Sequence, residues 1–280
     1  MILVYFILLV FLQLSSNSAN NQNFENYVGC DMPKSDVDLV EFSLNLEYLE
    51  AEFFLWVSLG YDLDKFAPEL ADSGLPPIGA QIAKLSPLIR DVITQFEYQE
   101  VGHLRAIKDA ITGFPRLLLN LSRESFVTVM DDAFGHPLKT PFDAYANDIN
   151  YLLASYVIPY VGLTGYVGAN PRLQSSTAKR LVAGLFEVES CQDAVLRALL
   201  YERRKERVEL YGITVAEFTN RISKLRNKLG RHEIKDEGLN VEPKEILRIV
   251  YESGKENKLG GFYPKGAEGW IAKSYLRHGD

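Results

Sequence analysis

Apolar residues recur along most of this chain at intervals of three and four, the repeat of a helix with one buried face. The first such segment runs from Val37 to Leu59, opened by Ser35 and Asp36, whose side-chain oxygens suit an N-cap, and closed by Gly60. After a loop at Pro76-Pro77 and Gly79, a second runs from Ser86 to Thr112 and stops at Gly113 and Pro115. Ser122 to Ala133 predicts a short helix before Gly135-His136-Pro137. A third long segment covers Tyr145 to Val167, and a fourth Thr177 to Arg204, with a loop at Ala169-Asn170-Pro171 between them. Thr214-x-x-Glu217 is a capping box opening an amphipathic helix that ends near Gly230, and Glu242-Pro243 opens another through Tyr251. Turn residues crowd Gly260 to Gly266, where irregular chain is expected. Strand-like alternation is scarce and no repeat is present. The pattern predicts an all-α fold: a four-helix bundle over residues 36–205 with additional short helices, and a helical and irregular C-terminal extension over 206–280.

Carboxylates interrupt these apolar stripes. On the second helix Ile93, Phe96, Glu100, His103 and Ile107 share one face, and on the fourth Val182, Leu185, Glu189, Gln192, Leu196 and Leu199 repeat the layout, with Gln192 where His103 stands. On the first, Glu47 breaks the stripe Val37, Val40, Leu44, Ala51, Phe54, and Glu50 sits among Leu39, Leu46, Phe53 and Val57. An unpaired buried carboxylate costs several kcal/mol, so four of them at mid-bundle height call for a cation between them. Glu-x-x-His is the bundle motif that binds one, because positions i and i+3 project toward the same point. The alternative is a satisfied core, with Glu100 paired to Arg105 and His103 hydrogen-bonded. Glu52, Glu97 and Glu187 fall outside the stripes and are expected on solvated faces.

A full di-iron bundle takes a Glu from each of two helices and a Glu-x-x-His from each of the other two. Here the third helix has no carboxylate after Asp148, carries Pro159 and Tyr160 near the required height, and Gln192 replaces the second His. The candidate metal ligands are therefore Glu47, Glu50, Glu100, His103, Glu189 and Gln192, a degenerate set suited to one ion of iron, manganese or zinc. Tyr151, Tyr156, Tyr160 and Tyr166 crowd the same helix, as packing or as groups lining a cavity.

Composition narrows the setting. Residues 2–12 are almost wholly apolar and lead into Ser, Asn and Ala, with Ser16 and Ser18 at the positions a signal peptidase favours. Residues 1–18 are expected to be a signal peptide and 19–35 a polar leader. No later stretch reads as a clean membrane span. A net charge of −7 speaks against nucleic-acid binding. At 280 residues with two cysteines, Cys30 and Cys191, the chain is no disulfide-stapled miniature, and whether the two are bridged is open. Asn120-Leu-Ser122 is a glycosylation sequon if exposed.

Leu44-Asn-Leu-Glu-Tyr-Leu-Glu-Ala-Glu-Phe-Phe54, Phe96 to Ile107, Tyr156 to Asn170 (SYVIPYVGLTGYVGAN follows from Ser155), Leu181 to Glu189 and Gly260 to Ala267 (GGFYPKGA) together resemble the plant desiccation-related proteins. The resemblance runs from about Asp36 to the C-terminus. It implies a ferritin-like fold, secretion to the apoplast or cell wall and a link to drying, without implying a settled activity. Between Glu237 and Ile246 the chain is shorter than that family's pattern, which bears on any C-terminal docking surface. Three functions stay open: a non-catalytic stress protein acting on cell-wall components, a metal-binding protein or oxidase, and a metal-independent enzyme acting on a small molecule. A homo-oligomer is compatible with each. At 47% apolar residues the chain is no hydrophilic, disordered protectant.

Overall fold

The computed structural model describes residues 32–229 and 242–277, so the expected signal peptide, most of the polar leader, Cys30 and most of the shortened segment before Ile246 lie outside the described residues. From Pro33 onward the described chain forms one helical unit. Its elements are α1 (Lys34–Leu59), α2 (Leu63–Phe66), α3 (Pro68–Ala71), α4 (Pro87–Ala110), α5 (Arg123–Phe134), α6 (Asp148–Ser155), α7 (Pro159–Ala169), α8 (Ser176–Glu202), α9 (Val215–Leu229), α10 (Pro243–Val250) and α11 (Trp270–Arg277). Among the described residues, β-structure is limited to isolated bridges such as Ile78 with Asn120.

The bundle is built around α1, of whose 26 residues 19 are buried. It packs against α4, α7, α8 and α11, so it has no solvated side. Phe53 anchors the core, with ring centroids 5.1 Å from Tyr151, 5.2 Å from Phe126 and 6.3 Å from Tyr145. The helix begins at Lys34 with Pro33 as its cap, so Ser35 and Asp36 are not the cap. Asp36 instead accepts the Gln174 and Ser175 N–H groups at 2.7–3.0 Å, tying the start of α1 to the start of α8. At the other end Gly60 takes φ 76° and returns its N–H to Trp56.

The third long segment is two helices rather than one. Pro159 has no N–H to give the Ser155 carbonyl and its ring crowds that turn, so α6 stops at Ser155 and α7 starts at Pro159. By length and apolarity alone residues 148–172 are a weak candidate for a membrane crossing, but most of that stretch is buried inside the bundle, so the described residues give no strong sign of a span. It is core. The C-terminal extension lies on α1: the Tyr263 hydroxyl donates to the Asn45 carbonyl at 3.0 Å, and Phe262 stacks edge-on to Phe126 at 5.3 Å. The Thr214–Glu217 capping box forms, and the helix opened by Glu242-Pro243 carries a further box, Glu242 with Glu245, beyond the sequence expectation.

Two carboxylates expected on solvated faces are buried. Glu52 is fully enclosed and accepts Arg116 Nη1 at 2.5 Å, while Arg116 Nη2 reaches Asp64 at 2.6 Å. Glu97 is fully enclosed and accepts the Ser58 hydroxyl. The reason is α1 itself: with neighbours on every side, its Glu52 meets the 111–122 loop instead of water, and Glu97 of α4 is covered where it faces Ser58 of α1. Glu187 is exposed as expected.

Burial raises Glu97 to about 7 against the partial relief of the Ser58 hydroxyl. A carboxyl whose folded value is raised stabilises the fold while protonated, and that contribution is lost as pH rises through about 7. The stability of the wild-type chain should therefore fall by roughly 1 kcal/mol more between pH 6 and 8 than that of Glu97→Gln. Urea melts at the two pH values, run on both proteins, check this; parallel slopes would refute it.

Candidate metal centre

Three helices bring the predicted residues together. Glu47 and Glu50 come from α1, Glu100 and His103 from α4, Glu189 and Gln192 from α8, each pair three residues apart and so on one face. All six are buried, none more than 6% exposed. His103 Nδ1 lies 2.8 Å from Glu47, 3.3 Å from Glu100 and 3.9 Å from Glu189. Ligand atoms of Glu47, Glu100, His103 and Glu189 all fall within 4.8 Å of one another, close enough to hold one ion. Glu50 stands beside this group rather than in it. A Cβ built on Gly162 of α7 would lie 3.2 Å from both a Glu50 and a Glu189 oxygen. The third long segment thus offers no ligand at this height, only the space a glycine leaves, and Glu50 reaches into that space from α1.

Gln192 is present but turned to a different task. Its Nε2 donates to Glu100 and, at 3.1 Å, to Gln99 Oε1, while its own oxygen has no partner. Of the satisfied-core alternative, the Glu100–Arg105 pair does not form, because Arg105 is on the surface with Glu69 at 3.5 Å, whereas His103 does hydrogen-bond, to Glu47 at 2.8 Å. Tyr166 of α7 is a member that stripe reading left unassigned: its hydroxyl donates to Glu47. Its place in a four-tyrosine segment was visible, but which tyrosine turns inward was not. Tyr151 packs in the core, and Tyr156 and Tyr160 lie under Arg197 and Arg226.

The electrostatics follow from burial. Burial pushes Glu50 and Glu189 well above the usual carboxylate range, and the other carboxylates push them further. Glu100 is raised to about 7 by burial, with His103 opposing. For Glu47 burial is outweighed by His103 and the Tyr166 hydroxyl, and it falls below its ordinary value. His103 is disfavoured as a cation by burial, yet Glu100 and Glu47 hold it charged well above its ordinary range. Metal-free, the centre is an imidazolium between carboxylates plus carboxylic acids that keep their protons.

The residues fit a metal ion. Both oxygens of Glu50 and of Glu189, one of Glu100 and Nε2 of His103 lack any hydrogen-bond partner although buried. Native cores rarely tolerate one such group, and here six converge. Oxygen and imidazole donors suit iron, manganese or zinc.

Comparison with known proteins places these helices in a family. The ferritin-like domain matches residues 35–202, which span α1 to α8. The desiccation-related protein PCC13-62 of Craterostigma plantagineum is 64% identical over 231 residues, covering 82% of this chain and 71% of its own. The ferritin-like catalase Nec2 of Nesocodon mauritianus is 50% identical over 269 residues, covering 87% of this chain and 86% of its own. No solved structure matches significantly. A bundle with its acidic residues turned inward, matched over most of its length by these relatives, belongs to the ferritin-like domain family, alongside the desiccation-related proteins.

Proposed function

We propose that this chain is a stress-associated metalloprotein whose bundle centre holds one redox-active ion, iron or manganese, and consumes hydrogen peroxide. The observation that carries the reading is the convergence of buried donor atoms from Glu47, Glu100, His103 and Glu189, among which a Glu100 oxygen, His103 Nε2 and both Glu189 oxygens have no hydrogen-bond partner. The named activity of the Nec2 relative supplies the substrate: a catalase turns two molecules of hydrogen peroxide into two of water and one of dioxygen. The bound ion would supply the one- or two-electron exchange, which none of these side chains offers. Zinc, which has no redox chemistry, fits the ligands but not the reaction.

The chain's own residues have definable parts. Glu47, Glu100, His103 and Glu189 would hold the ion, and His103 would give up its proton on binding. Tyr166 orients Glu47 through its hydroxyl, and Gln192 orients Glu100. Glu50, beside Gly162, is the free carboxyl next to the ligands and is placed to hold and return a proton. A full di-iron set is not required by this reading, since Gln192 stands where the second His would be and Gly162 where the third segment would supply a Glu. Secretion forms part of the proposal, on the apolar residues 2–12 and the small residues after them; N-terminal sequencing of protein exported by plant cells tests it.

Elemental analysis of the whole chain should find about one ion, and its removal by a chelator should lower the melting temperature, since an ion at a hundred times its Kd adds about 2.7 kcal/mol. Peroxide loss should yield half as much dioxygen and disappear on chelation. A chain that takes up no ion and melts identically with chelator would sink the proposal.

A further inference from the structure

A small cavity of about 30 Å³ lies beside the centre, between α1, α7, α8 and α10. Its lining runs from Arg172, which is exposed, past Ala169, Gly168 and Gly165, down to buried Gly162. The glycines fall at every third position of α7, so one side of that helix has no side chains. A stripe of small residues alone would be ordinary helix packing. Here its innermost lining residue adjoins something that packing does not explain: a Cβ on Gly162 would lie 3.2 Å from oxygens of Glu50 and Glu189, both almost completely enclosed and both with two unpartnered oxygens. The volume suits one or two water-sized molecules and nothing larger.

One residue closes this groove from above. Ile246 of α10 reaches over Gly165, and its Cδ1 would lie 2.8 Å from a Cβ built there. Pro243, one turn earlier, completes the roof. The roof is held by local chemistry independent of the bundle: Pro243 and the Glu242–Glu245 capping box start α10, and Arg172 at the groove's rim pairs with Glu242 at 2.7 Å. Among the described residues, the Ile246 δ-methyl, on a rotatable side chain, is what a side chain at residue 165 would meet, while Leu39, Phe42, Leu46 and Val182 line the groove elsewhere.

We propose that Ile246 gates a passage along Gly165 and Gly162 that admits molecules the size of hydrogen peroxide or dioxygen to the Glu50–Glu189 side of the centre and excludes bulkier hydroperoxides. The passage rests on the metal-centre reading for its purpose, but its existence is separable. The polar side of the centre, where Gln192 meets Gln99, would serve water and protons instead.

The test uses the full chain in two states. In metal-free protein, dissolved dioxygen under pressure broadens the NMR signals of groups it reaches. The Gly162 amide should broaden in wild type, more strongly in Ile246→Ala, and hardly at all in Ile246→Phe. Gly165→Ala provides a second route to a narrowed passage: alanine is the better helix former, and its Cβ requires only the end of the Ile246 side chain to shift. Combining it with Ile246→Ala should restore broadening. In protein loaded with manganese, hydrogen peroxide and tert-butyl hydroperoxide are compared: Ile246→Ala should raise consumption of the bulky peroxide by roughly tenfold relative to hydrogen peroxide. Gly162 broadening that ignores residues 165 and 246 would overturn the gate, whatever the metal content. Broadening that follows them in a chain that binds no metal would keep the passage and overturn the metal reading instead.

Discussion

Replacing Arg116 with methionine should destabilise this protein by about 3–5 kcal/mol, the cost of leaving a buried carboxylate without its cation. Arg116 is almost fully enclosed, and its guanidinium is shared between Glu52 at 2.5 Å and Asp64 at 2.6 Å, with further donation to the Leu75 and Gly74 carbonyls at 2.8 and 3.0 Å. The loop comes close enough to make these bonds only because residue 74 is glycine; a Cβ there would sit 2.1 Å from the Arg116 carbonyl oxygen. Burial outweighs the opposing guanidinium and leaves Glu52 raised to about 7, so removing the guanidinium leaves burial less opposed and raises the carboxyl further. Domains of ordinary stability hold 5–15 kcal/mol in all, so the variant should lose roughly 10 °C in Tm. Adding Glu52→Gln should recover more than half, because a neutral amide replaces a buried carboxyl that must otherwise stay charged or be kept protonated at neutral pH. Urea titrations of the single and double variants decide it; a loss under about 1 kcal/mol in Arg116→Met would show that the pair contributes little.

The second large effect reverses sign with metal. Glu189→Gln should stabilise the metal-free chain by about 1–3 kcal/mol at pH 8, since it removes a buried acid crowded by Glu50, Glu100 and Glu47. The same variant should lose the rise in melting temperature that an added ion gives wild type, because one of four ligands has become a weak neutral donor. Melting curves with chelator and with excess manganese measure both halves. A chain in which Glu189→Gln weakens the metal-free protein would show that the carboxyl is held by the fold and not kept for an ion. Few structural roles predict a variant that is firmer empty and weaker loaded, so this crossing tests the centre more sharply than loss of activity does.

Helix periodicity alone located five of the six centre residues, Glu47, Glu100, His103, Glu189 and Gln192, on faces that proved buried, because each interrupts a run of apolar residues at intervals of three and four. Glu50 was legible on a second stripe of the same helix. Helix ends were legible where a residue type dictates the backbone, as at Gly60, at the Thr214 capping box and at Glu242-Pro243. The all-α architecture followed from segment lengths and the lack of alternation.

Other features depend on which faces meet. Glu52 and Glu97 lie off the stripes and looked solvated; they are enclosed because α1 is surrounded, a fact about its neighbours and not about its own order of residues. The apolar pattern predicts one helix for the third segment; Pro159 divides it, and how its parts turn Tyr166 toward Glu47 while Tyr156 and Tyr160 turn to Arg226 is settled by packing. Gly162 reads as a helix-weakening glycine until α7 is laid against α1 and α8, when its missing side chain becomes the space beside two carboxylates. Ile246 is 84 residues further on and reaches that groove only through the folding-back of the C-terminal extension. Local order determines which groups are unfavourable in water or in core, since that is set by spacing along one helix. Which group then stands opposite them is a long-range packing result, and on it rests the difference between a buried acid, an ion pair and a metal centre.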